Sequence, residues 1–92
     1  MKVKVWEITD GNSKWYLLYD KKNDYQNNIY NNGCEEVTLP EGFKIGESES
    51  GIPYIYKNDF AYDIHKDKKG YMLYPAQLTV HEAYKRKAIK YI

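Results

Sequence analysis

Asp63 and His65 lie two residues apart in a segment that reads as extended, so their side chains project from the same face. A carboxylate beside an imidazole raises its basicity, which is what a general base requires. Cys34, the only cysteine, would supply the nucleophile of a Cys-His-Asp set. Its surroundings, Asn32-Gly33-Cys34-Glu35, resemble no nucleophile motif. The chain therefore reads as a non-enzyme, with a small enzyme built on Asp63 and His65 as the second alternative. His65 and His81 are too few to hold a metal without help from carboxylates such as Asp63. There is no Gly-rich phosphate loop, no HExxH and no EF-hand pattern, and no cofactor is expected.

Tyrosine offers a different chemistry. Eleven Tyr, two Trp and two Phe bring aromatic residues to 16%. Tyr54, Tyr56 and Tyr62 occupy alternating positions on neighbouring extended segments, an arrangement expected to make a cross-strand platform. The plain reading is of amphipathic residues that bury their rings and keep their hydroxyls wet. The functional one is a partner-binding face of Tyr54, Tyr56 and Tyr62 flanked by Asp59 and Asp63, because tyrosine gives a large contact area at low entropic cost. Lys85, Arg86, Lys87 and Lys90 are the nucleic-acid alternative, against the commoner meaning of such a run as a solvated helix face. The acidic residues Glu35, Glu36, Glu41, Glu47, Glu49, Asp59, Asp63 and Asp67 are expected to oppose that basic end.

The elements that must hold these residues follow from period and punctuation. Residues 2–9 alternate as a strand, Asp10-Gly11-Asn12-Ser13 supplies a turn, and 14–20 returns, giving an N-terminal hairpin over 1–20. Large apolar groups on both faces of 14–20 predict that this strand is covered on both sides or presents a binding face. The Asn-rich 21–33 has no period and reads as a loop. Short strands over 36–76 (36–39, 43–47, 52–57, 60–65 and 71–74) are separated by Pro40-Glu41-Gly42, Ser48-Glu49-Ser50-Gly51, Asn58-Asp59 and Asp67-Lys68-Lys69-Gly70. In the first of these turns Pro40 is expected at the first central position. Thr79-Val80-His81-Glu82 has the capping-box pattern and predicts a helix over 79–91, with Val80, Ala83, Tyr84, Lys87, Ala88 and Tyr91 on one face. The expected class is α+β: one domain over 1–92, an antiparallel meander of about five to six strands with one C-terminal amphipathic helix packed on it.

The formal net charge of +1 removes any whole-molecule attraction to phosphate or an anionic membrane. Residues 1–76 carry ten lysines against twelve acids, a balance of −2; residues 77–92 carry four basic groups against Glu82, a balance of +3. One cysteine allows no internal disulfide, and the N-terminus does not read as a signal peptide, so a cytoplasmic setting is expected. No apolar run is long enough to span a bilayer. The expected partner is another protein, with nucleic acid second, no membrane, and a homodimer allowed by the charge separation.

Arg86 is the sole arginine, and Lys, Asn, Ile and Tyr are favoured throughout. With that bias and the stretch Leu39-Pro40-Glu41-Gly42-Phe43 ahead of a strand and hairpin, the chain resembles small accessory proteins of phages and other mobile elements of low-GC Gram-positive bacteria. The resemblance implies a protein that occupies a surface of a host protein, for instance as an inhibitor of a bacterial defence system.

Overall fold

The computed structural model describes residues 1–19 and 31–92. Eight strands and one helix follow in order: β1 (Lys2–Asp10), β2 (Ser13–Leu18), β3 (Asn31–Thr38), β4 (Lys44–Glu47), β5 (Pro53–Lys57), β6 (Phe60–Asp67), β7 (Gly70–Pro75), α1 (Val80–Lys85) and β8 (Lys90–Tyr91). They form two antiparallel sheets, ordered β2-β1-β3 and β4-β5-β6-β7-β8. The architecture is mainly β, with a short helix where the sequence predicts a long one.

The first sheet departs from a simple meander. Gly11, at φ +62, makes the tight turn between β1 and β2. β3 then returns to the other edge of β1, pairing Lys2 with Thr38 and Trp6 with Cys34. Residues 31–33, expected in the loop, are strand; the rest of the predicted loop, 21–30, lies outside the described residues. Being central in its sheet, β1 is buried on both faces, with Val5 on one side and Trp6 and Ile8 on the other. β2, for which coverage on both sides or an open binding face was expected, is an edge strand with Trp15 42% exposed.

The second sheet follows the predicted hairpins closely. Ser48 closes the β4–β5 loop by accepting the Gly51 amide and donating its own to Ile52 O. Asn58 takes φ +56 and so replaces the glycine that a tight turn between β5 and β6 would favour. The turn before β4 lies one residue later than expected: Phe43 N–H bonds to Pro40 C=O, making Pro40 the first turn residue and leaving Gly42 at φ +94.

Alternation divides this sheet into two faces. Ile55 stands opposite Tyr62, and Ile64 opposite Leu73. These residues join Leu39, Phe43 and Ile45 with Val3 and Leu18 of the first sheet, so the core lies where the sheets face each other. Burial of each large aliphatic side chain there contributes about 1.5–3 kcal/mol. At one end of this interface the Lys66 ammonium sits 3.2 Å from Glu35 and 3.9 Å from Glu7, and lies 4.9 Å over the Tyr71 ring.

The C-terminal segment is the largest departure from expectation. The Thr79 hydroxyl accepts from Glu82 N–H at 3.1 Å, and the Glu82 carboxylate accepts from Thr79 N–H at 3.3 Å, as the capping-box pattern requires. The helix then stops after six residues. Lys87 adopts φ +55, its amide donates to Tyr84 C=O at 3.2 Å, and the Ala88 amide donates to Ala83 C=O at 2.9 Å. That pair of bonds is a Schellman motif with lysine where glycine is usual. The chain reverses and adds β8 to the free edge of β7. The Val80/Tyr84/Ala88 stripe therefore does not form a helical face; Ala83 is the buried residue of α1, and Ala88 lies beyond it.

Candidate functional site

The expected platform of three tyrosines divides between the two faces of the second sheet. Tyr54 and Tyr56 share the outer face, with ring centroids 5.8 Å apart and planes tilted by 45°. Tyr62 is opposite Ile55 and thus points inward, where it meets Phe43 edge-on at 5.0 Å and 82°. The register could not be read from residue types alone, since shifting the β5–β6 pairing by one residue exchanges the faces.

The outer pair is held by its neighbours. Gly46 pairs with Tyr54 across β4 and β5, and a Cβ at Gly46 would lie 2.8 Å from Tyr54 Cζ. The absent side chain is what lets the ring lie across the strand. Tyr54 remains 40% exposed, beside Ile52 at 54%. Asp63, opposite Tyr74, has its carboxyl pushed up by partial desolvation, while Asp59 is exposed in the β5–β6 turn.

The other candidate groups do not converge. Among the described residues no hydrogen bond joins Asp63, His65 and Cys34. Asp63 shows only the upward effect of desolvation, with no charge partner, and His65 instead packs edge-on against Tyr16 at 5.7 Å. Burial also pushes the Cys34 thiol up, which disfavours the reactive thiolate. No group of three or more metal-ligating residues exists among the described residues. The four C-terminal cations are likewise split: Lys85 and Arg86 are exposed in and just after α1, whereas Lys87 and Lys90 line a groove. Nor are the acids one patch, because Glu35 and Glu36 pair with lysines and Asp67 is taken up by tyrosines.

That groove, of about 520 Å³, occupies the inner face. Phe43, Tyr62 and Leu73 contribute apolar lining; Lys57, Lys87 and Lys90 are its basic lining residues and Glu41 the acidic one. Gly42 makes room for the Lys57 stem, whose Cε lies 3.4 Å from where a Cβ would be. The Lys57 ammonium stands 5.2 Å above the Phe43 ring.

Asp67 fixes the segment that carries Lys87 and Lys90. Its Oδ2 accepts from the Tyr84 and Tyr91 hydroxyls, each at 2.6 Å, and its Oδ1 accepts from Lys69 N–H at 2.8 Å. These donors, the Tyr84 hydroxyl first, hold the Asp67 carboxyl down at about 2, and the bonds push both phenols up. Sequence reasoning missed the groove and this clasp. The only local signal for β8 was the alternation Ile89-Lys90-Tyr91-Ile92, which competes with helical spacing.

No helix among the described residues is long and apolar enough to cross a membrane. Neither family models, nor curated proteins, nor solved structures give a match to this chain.

Proposed function

We propose that the protein is a non-enzymatic protein-binding module whose contact surface is the outer face around Tyr54 and Tyr56. The observation that carries this reading is the Tyr54 ring laid over Gly46, beside Tyr56 and still open to solvent. With only two side-chain torsions to fix, tyrosine loses little freedom on binding, and it supplies both apolar area and a hydroxyl to a partner. Ile52 extends the apolar strip, while Asp59 and Asp63 give its surroundings negative charge. In its inhibitory form the module acts by occlusion: it covers a surface that the partner needs. Tyr62 leaves this contact set because it is partly buried on the other face of the sheet, against the core.

The test is partner capture by the intact chain, compared with Tyr54→Ser/Tyr56→Ser. Recovery of the partner should fall at least about tenfold, with an unchanged circular dichroism spectrum. A folded double variant that captures the same partner equally well would remove the outer face from the proposal.

A further inference from the structure

The groove on the inner face is distinct from the tyrosine strip, since the residues that line it point the other way from β5 and β6. Lys57, Lys87 and Lys90 reach it from β5, the reversal after α1, and β8. None of the three takes part in an ion pair among the described residues. Three lysines against one glutamate leave the lining with a positive balance, which an anionic ligand complements. Lys87 adds a separate observation: it occupies the left-handed position that glycine fills at lower cost, and it is one of the residues that line the groove.

We infer that this groove is a docking site for an acidic peptide segment of a partner protein, with carboxylates on Lys57, Lys87 and Lys90 and one apolar side chain against Tyr62 and Ile89. Single-stranded nucleic acid fits less well. Phe43 is only 8% exposed, with the Lys57 ammonium over its ring and Tyr62 perpendicular to it, so it offers no free face for a base to stack on. A peptide needs only an apolar slot and cations at its rim, and the groove supplies both.

The inference rests on the reading of the chain as a protein-binding module but not on its outer face. The experiment is a titration of the whole chain, followed by amide chemical shifts, with a short synthetic peptide in which one leucine is flanked by Asp and Glu. A matched peptide with Asn and Gln in their place, and an oligothymidylate, serve as comparisons. The acidic peptide should shift the amides of residues 57 and 87–90, bind at least about tenfold more tightly than its neutral match, and weaken by about the same factor in Lys90→Glu. Tyr54→Ser/Tyr56→Ser should leave this binding unchanged, which separates failure of the groove from failure of the outer face. The inference is overturned if the groove amides do not move, if Lys90→Glu binds equally well, or if the oligothymidylate occupies the groove more tightly. Should Lys90→Glu disturb β8, Lys57→Gln carries the same expectation from a different strand.

Discussion

The two faces of β5 and β6 show how one hairpin can serve opposite chemistries. Outward, Tyr54 and Tyr56 sit on the flat of the sheet, and the missing side chain at Gly46 is what lets the Tyr54 ring lie there. Inward, Lys57 and Tyr62 line a concave site whose far wall is delivered by the C-terminal reversal. The first region depends on local strand pairing; the second depends on a segment brought from 17 to 24 residues away by a clasp on Asp67. The difference teaches that the regions can be damaged separately.

The largest effect should come from removing what they share. Ile55 lies between Tyr54 and Tyr56 but points into the core, so Ile55→Ala should cost about 2–5 kcal/mol in denaturant unfolding and weaken both sites together. Lys87→Gly should do the opposite to stability. Releasing a non-glycine residue from the left-handed region should raise it by about 1 kcal/mol, while acidic-peptide binding falls and the outer face is unaffected.

The clasp lies close to water, and its removal is a smaller effect, visible mainly through pH. Asp67 has a depressed carboxyl, so its contribution is complete above the ordinary carboxylate range and is lost as pH falls toward about 2. The Tyr84 and Tyr91 phenols are raised, so theirs is present below the ordinary phenol range and is lost as pH climbs beyond it. Asp67→Asn should flatten the acid limb of thermal stability and speed amide exchange at 90–92, with the Tyr54 and Tyr56 resonances unmoved. Gly46→Ala should have the smallest effect on stability, within about 0.5 kcal/mol, because the exposed Tyr54 ring can swing aside. Partner capture by the outer face should nevertheless drop, which would sharpen the comparison by showing that ring placement, and not stability, matters there.

Where local chemistry decides structure, residue types were enough. The hairpin turns after Asp10, Ser48 and Asp67, the capping box at Thr79, and the alternation of β1 and β5 could all be read directly. What escaped depends on distant partners. β3 crosses to the far edge of β1 because its pairing is selected by tertiary packing. Lys87 in a left-handed conformation has no sequence signature, so residues 80–91 read as continuous helix. The inward turn of Tyr62 is set by its pairing with Ile55 and not by its own type. Tyr54 and Tyr56 were legible as a pair because residues two apart on one strand need no register to share a face.

β8 has a consequence beyond the groove. Its two residues pair with Met72 and Leu73, and the Ile92 amide adds a bond to Tyr71 C=O. Without them the central part of β7 would be an open edge, free to template a strand from another chain. The C-terminal segment thus covers a strand edge that would otherwise be open to pairing. Shortening the chain after Lys87 should turn a stable solution into one whose light scattering rises with protein concentration.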